Sequence, residues 1–203
     1  MEQLYQIDVS LFKLINEGLA NPFLDVVMVF LTSFKKSWFI AALTCIYVLV
    51  RRKKEGLVIL VLFGLAIALA DQTASSFFKP LIERTRPCFA LENVNLLVRQ
   101  TRSYSFASSH AANTAAVATL IWIFFSKSGR TDRLFALAVA VYAVLVGYSR
   151  IYVGVHYPSD VLGGMVIGVA SGSLVYLAYS YTMKNYIHLH LAKTDRAITK
   201  TRF

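Results

Sequence analysis

The chain has 203 residues, of which 57% are hydrophobic, with a mean hydropathy of +0.56 and a formal net charge of +10. Apolar runs of about 15 to 20 nearly uncharged residues predict a polytopic helical membrane protein and exclude a soluble domain. The Lys and Arg residues gather in short loops between these runs, which is typical of membrane topology and excludes nucleic acid as a partner.

The first 34 residues predict two helical segments that do not fully cross a membrane. Residues 4–19 place Leu4, Ile7 and Leu11 on one helical face, which indicates an amphipathic helix lying at the membrane surface. Pro22 then restarts the chain. The apolar stretch 22–34 would be roughly 20 Å long as a helix, shorter than the hydrocarbon core. We expect it to be half-inserted or packed, and six spans would result if it crosses.

The remaining apolar runs predict five transmembrane helices, so the expected fold class is all-α, a polytopic membrane helical bundle with residues 1–203 forming one domain. The predicted spans are residues 36–50, 56–78, 107–125, 134–148 and 159–182. On the last of them, Gly164, Gly168 and Gly172 recur every fourth residue. This spacing predicts close contact with a neighbouring helix.

Basic residues predict the orientation of the bundle. The 51–54 cluster, the 127–133 turn and the tail from Lys184 to Arg202 should share one side, which the excess of positive charge makes cytoplasmic. The opposite side then receives the 79–106 loop and the 149–158 turn. We expect any site built from these two segments to face outward.

Three polar clusters fall at span ends on that outward side. Residues 111–148 are long enough for one span down, a turn and one span back, so the second and third clusters should meet. Lys79, at the exit of the second span, should join them. The clusters are Lys79 with Arg86-Pro87, then Ser108-Ser109-His110, then Ser149-Arg150 with His156 and Asp160.

The cationic residues of these clusters suit a phosphate group. Lys79, Arg86 and Arg150 would neutralise its oxygens, and the arginine forks match paired oxygens. Ser108 is the expected N-cap of the third span. The free backbone N–H groups of the first turn, which includes Ser109, would then point at the same anion.

The histidines and the aspartate complete an inventory for phosphoryl transfer. His156 could attack phosphorus while Asp160 keeps the other ring nitrogen protonated, and His110 could protonate the leaving oxygen. By ligand type these three side chains could also bind a metal. Because three cations lie nearby, we predict that no metal or other cofactor is needed.

The three clusters resemble the signature motifs of the type 2 phosphatidic acid phosphatase superfamily. The matching patterns are Lys79-x6-Arg86-Pro87, Ser108-x-His110 and Ser149-Arg150-x5-His156-x3-Asp160. The resemblance implies that His156 forms a phosphohistidine, that Asp160 orients it, that His110 is the acid, and that the enzyme is metal-independent. It also implies phosphate binding by residues matching Lys79, Arg86, Ser108 and Arg150. The chain departs from the pattern at Ala107 and Ser109, where the family usually has proline and glycine.

The same resemblance favours a lipid phosphate as substrate and the outer face of a bacterial cytoplasmic membrane as location. Undecaprenyl diphosphate phosphatases look most similar, followed by lipid A 1-phosphatases and phosphatidylglycerophosphate phosphatases. The altered middle motif leaves one alternative of another class, a catalytically idle protein that binds or translocates phospholipid. The sequence leaves the oligomeric state open.

Overall fold

A computed structural model describes residues 2–200, with side chains over residues 2–186, so the basic tail beyond Tyr186 lies outside the described side chains. Helices and their connections account for residues 2–200, which contain no strand, and the all-α prediction is confirmed. The helices are α1 (Glu2–Lys13), α2 (Pro22–Thr32), α3 (Phe34–Gln72), α4 (Lys79–Ile82), α5 (Pro87–Ala90), α6 (Ser109–Phe125), α7 (Arg130–Tyr152) and α8 (Pro158–Lys200). Short π-helical turns, Leu14–Gly18 and Thr73–Phe78, extend α1 and α3.

The helix α3 is two antiparallel segments joined by a sharp reversal at Lys53, where φ is 48° and ψ is −119°. A Cβ atom on Gly56 would lie 2.9 Å from the carbonyl oxygen of Val48. In a straight helix these residues would be about 12 Å apart along the axis, so the chain must fold back here. Segments 34–52 and 54–72 therefore match the first two predicted spans.

In the part of the chain that the structure describes, three stretches are long and apolar enough to cross a membrane: Phe34–Ala90, which contains the reversal, Arg130–Tyr152 and Pro158–Tyr186. The apolar helix α6 is shorter, with 17 residues. The N-terminal helices form a pair bent by 117°, which would count as a fourth candidate span. The predicted surface helix and the predicted half-inserted stretch thus form one bent helix pair.

An ion pair and a hydrogen bond join the predicted basic loops at one end of the bundle. The Arg51 Nε atom lies 2.8 Å from Asp132 Oδ1, and Arg52 Nη2 donates to Ser128 Oγ at 2.5 Å. The 51–54 cluster and the 127–133 turn therefore share one side, as predicted.

Close packing between α6 and α8 brings two of the three polar clusters together at the other end. A Cβ on Gly172 would lie 2.7 Å from the carbonyl oxygen of Ala116, and one on Gly164 would meet the carbonyl oxygen of Ser108. The predicted glycine contact is therefore confirmed. At the start of both helices the Ser108 N–H donates to the Asp160 carbonyl at 3.0 Å.

Candidate active site

The guanidinium of Arg86 and the ring of His156 meet in a buried contact. Arg86 Nη1 lies 3.0 Å from His156 Nε2 and donates to the Val155 carbonyl at 2.9 Å. An arginine side chain only donates hydrogen bonds, so Nε2 is the acceptor and the ring proton belongs on Nδ1. The lone pair of Nε2 therefore faces a cation.

The carboxylate of Asp160 lies on the opposite side of the His156 ring. Its Oδ2 atom is 3.5 Å from His156 Nδ1 and accepts the Tyr157 N–H at 2.9 Å. The pKa of His156 is lowered to about 4, chiefly by burial and also by the positive charges of Arg86 and Arg150. These causes outweigh the carboxylate of Asp160, which raises the pKa. The imidazole is therefore neutral at physiological pH.

Four buried polar atoms at this place have no hydrogen-bond partner: Ser108 Oγ, Arg150 Nε, His156 Nδ1 and Tyr157 Oη. Ser108 occupies the N-cap position of α6, as predicted, but its hydroxyl makes no capping hydrogen bond. Arg150 donates instead through Nη1 to Thr32 on α2. Because an unpaired buried donor is costly, an anion bound between Ser108 and Arg150 would satisfy both.

Ser109, which stands where the family usually has glycine, contacts the side chain of Lys79. The Lys79 ammonium lies 3.2 Å from Ser109 Oγ and 3.4 Å from Ser75 Oγ, and the two hydroxyl oxygens are 2.9 Å apart. A glycine at position 109 would leave only one of these hydroxyls. The serine therefore helps to hold Lys79 at the edge of the site.

We expect Ser109→Ala to raise KM about fivefold with little change in kcat, because one hydrogen bond to a half-buried ammonium is worth roughly 1 kcal/mol. Ser76→Ala is the matched control, since Ser76 is an exposed neighbour that bonds Gln72. Steady-state kinetics on a lipid phosphate would measure both variants. An unchanged KM in Ser109→Ala would show that the hydroxyl does not position Lys79.

The imidazole of His110 lies in the first turn of α6 and is exposed. It is close enough to Arg150, His156, Lys79 and Arg86 to interact electrostatically with all four. The structure thus brings every predicted site residue to one end of the bundle. Within residues 2–186, no group of three His, Cys, Asp or Glu side chains is arranged to hold a metal ion.

Several residues of the site were not predicted from the sequence. Ser103 holds the guanidinium of Arg86 in place. Arg86 Nε donates to the Ser103 carbonyl at 2.9 Å, and Arg86 Nη2 donates to the Ser103 hydroxyl at 3.1 Å. Arg84 pairs with Asp160 at 2.8 Å and with Asp8 at 2.6 Å. Its position two residues before Arg86 is the one sequence feature that could have indicated a role for Arg84 in the site. Asp8 lies on the predicted surface helix, where nothing in the sequence pointed to the site.

Comparisons with known proteins agree with this geometry. The family model described as PAP2 superfamily matches residues 57–184. The lipid A 4'-phosphatase of Porphyromonas gingivalis is 31% identical over 92% of this chain and 79% of its own length. The undecaprenyl-diphosphatase of Bacillus subtilis is 28% identical over 94% and 93%. The crystal structure of a B. subtilis PAP2 type phosphatidylglycerolphosphate phosphatase, 30% identical, superposes with a TM-score of 0.66 over 89% and 88% of the two chains.

Proposed function

The chain belongs to the PAP2 superfamily and is a membrane lipid phosphatase, and on that premise we propose that it works through a phosphohistidine on His156. The proposal is supported chiefly by the 3.0 Å approach of Arg86 Nη1 to His156 Nε2, because a guanidinium beside an imidazole lone pair would suit an incoming phosphate. Asp160 orients the ring, and His110 is the acid. Lys79, Arg86, Ser108 and Arg150 hold the phosphate oxygens, together with the first turn of α6 at Ser109.

The reaction takes two steps. His156 Nε2 attacks phosphorus and forms the N–P bond while the P–O bond to the leaving group breaks, and His110 gives its proton to the departing oxygen. Water then attacks the same phosphorus and gives a proton to His110. The N–P bond breaks, inorganic phosphate leaves, and the electron pair returns to Nε2.

As substrate we propose undecaprenyl diphosphate, cleaved to undecaprenyl phosphate and inorganic phosphate. The B. subtilis undecaprenyl-diphosphatase supports this choice because the alignment spans 94% of this chain and 93% of that enzyme, so the two differ little in size. A second candidate is the 4'-phosphate of lipid A. It is favoured by the higher identity, 31%, of the P. gingivalis enzyme.

We place the enzyme in a bacterial cytoplasmic membrane with the site on the outer face, and we treat residues 1–203 as one domain. The orientation is supported by the basic end of the bundle, because cytoplasmic loops carry the excess of Lys and Arg. The site lies at the other end. A lipid headgroup in the outer leaflet would meet it directly.

The proposal is tested by phosphate release from a panel of undecaprenyl diphosphate, lipid A and phosphatidylglycerophosphate, with the purified protein in detergent, with and without EDTA. We expect release that survives EDTA and is fastest with undecaprenyl diphosphate. Fastest release from lipid A would favour the second candidate. Lipid binding without release from any substrate would identify the idle phospholipid-binding alternative and overturn the proposal.

The pH dependence of kcat/KM follows from the environment of His156. Because burial lowers its pKa from 6.5 to about 4, the nucleophile stays unprotonated as the pH falls through neutrality, and it is lost only near the lower value. We expect kcat/KM, corrected for the ionisation of the lipid phosphate, to show no loss centred near pH 6.5. A single-proton loss centred there and retained in His110→Ala would contradict this assignment.

A further inference from the structure

The N-terminal helix α1 buries one acidic side chain, whereas several of its apolar side chains are exposed. Leu4 and Ile7 are 73% and 57% exposed, whereas Asp8 is 6% exposed and Phe12 is fully buried. Exposed apolar side chains are typical of a helix that lies at a lipid surface. The buried carboxylate of Asp8 must find its partners within the protein.

The partners of Asp8 lie at the start of α8. Asp8 Oδ1 accepts the backbone N–H of Ser159 at 2.9 Å, and Oδ2 accepts the Ser159 hydroxyl at 2.5 Å. This N–H belongs to the first turn of α8 and has no partner within its own helix. Asp8 therefore holds the beginning of α8 from a helix that lies far away in the sequence.

Arg84 connects Asp8 to Asp160. Its Nη2 donates to Asp8 Oδ2 at 2.6 Å, while Nη1 donates to Asp160 Oδ1 at 2.8 Å and to Ser159 Oγ at 2.7 Å. The guanidinium also lies over the ring of Tyr157, with Cζ 3.9 Å from its centre. Each terminal nitrogen of the Arg84 guanidinium thus binds a carboxylate, and the face of the guanidinium packs against an aromatic ring.

The bridge leaves Asp160 free to act on His156. Arg84 takes Oδ1, and Oδ2 remains directed at Nδ1 of the imidazole. With Arg84 alone, the charge of Asp160 would be neutralised. The second carboxylate, from Asp8, balances the guanidinium, so the bridge keeps one negative charge beside the ring that becomes cationic when phosphorylated.

We propose that Asp8 and Arg84 are positioning residues that fix Asp160 against His156, which makes the N-terminal helix α1 a structural part of the active site. The proposal rests on the proposed function, since it assigns a role in the same reaction. Neither residue touches the phosphate. Their loss should therefore lower kcat and leave substrate binding nearly unchanged.

The test compares Asp8→Asn and Arg84→Lys with wild type in the full chain. Asparagine keeps the shape of Asp8 but removes its charge, and lysine keeps the charge of Arg84 but loses the fork. We expect kcat to fall about 10- to 100-fold in each, as for other groups that hold a catalytic side chain, with KM changed less than about threefold. The kcat of the double variant should be no lower than that of the less active single variant, because both residues act through one bridge.

Asp25→Asn is the matched control. Asp25 lies on α2 and accepts the Tyr152 hydroxyl at 2.8 Å, so it also ties an N-terminal helix to the segment before the catalytic turn, without reaching Asp160. We expect its kcat to stay within about twofold of wild type. Inhibition by inorganic phosphate, with an unchanged Ki, reports that each variant is folded around an intact phosphate site.

The outcomes separate this proposal from the proposed function. A wild-type protein that releases phosphate from no lipid contradicts the function itself. An active wild type with unchanged kcat in both variants, or an equal loss in Asp25→Asn, overturns the bridge alone. If Asp8→Asn does not fold, Arg84→Lys decides in the same way, since it keeps every charge in the bridge.

Discussion

Replacing His156 with alanine is expected to lower kcat on the order of 10⁴-fold, because covalent transfer has no other nucleophile at this position. His156 is 2% exposed and is fixed from both sides, by Arg86 at Nε2 and by the Asp160 carboxylate near Nδ1. The charged groups beside it, Arg86 and Arg150, are cations and cannot replace it as a nucleophile. Steady-state phosphate release from a lipid substrate is the measurement.

His156→Gln serves as the control for packing. A glutamine amide oxygen can accept from Arg86 as Nε2 does, so it retains the contact that orients the guanidinium. We expect the same loss of kcat in both variants and wild-type inhibition by inorganic phosphate in His156→Gln. Activity above about one tenth of wild type in either would rule out covalent catalysis by this residue.

Replacing Arg86 with lysine should lower kcat/KM on the order of 10²- to 10³-fold, the loss seen when one donor to a developing charge is removed. The guanidinium binds the Ser103 carbonyl through Nε and the Val155 carbonyl through Nη1, and these bonds aim it at His156. A lysine keeps one positive charge but cannot make this fork. The loss should appear in both kcat and KM, because in the proposed mechanism this group binds the phosphate in the ground state and in the transition state.

Arg102→Lys is the matched control for that variant, because Arg102 is an exposed arginine of the same loop. Its kinetics should equal those of the wild type. Wild-type kcat/KM in Arg86→Lys would mean that a point charge suffices and that the fork contributes nothing. Equal losses in both variants would point to the loop as a whole.

The sequence predicted the convergence of the site well, for a simple physical reason. Span lengths fix which loops share a membrane side, so two motifs separated by one outward and one returning span must meet. This placed His156, Arg150 and His110 at one end of the bundle, where the structure has them. The four-residue glycine spacing also predicted the α6 and α8 contact, since close approach of helices requires small side chains.

The N-terminal part of the site could not be predicted in the same way. The bond between Asp8 and Ser159 joins residues 151 positions apart, and helical periodicity carries no information about such a pair. The apolar stripe of α1 predicted a surface helix, but it says nothing of what the opposite side contacts. Likewise, the sequence predicted the N-cap position of Ser108. It could not predict that the Ser108 hydroxyl lacks a hydrogen-bond partner, because this depends on packing between helices.

Covalent catalysis by His156 is tested most directly by mapping the phosphorylated residue during turnover. Wild-type enzyme would be mixed with a ³²P-labelled lipid phosphate, quenched rapidly in alkali, digested and analysed by mass spectrometry. We predict an alkali-stable, acid-labile phosphate on His156 that forms and decays at rates matching phosphate release. Label on another residue, or phosphate release at the full rate with no protein-bound label at any time, would contradict it.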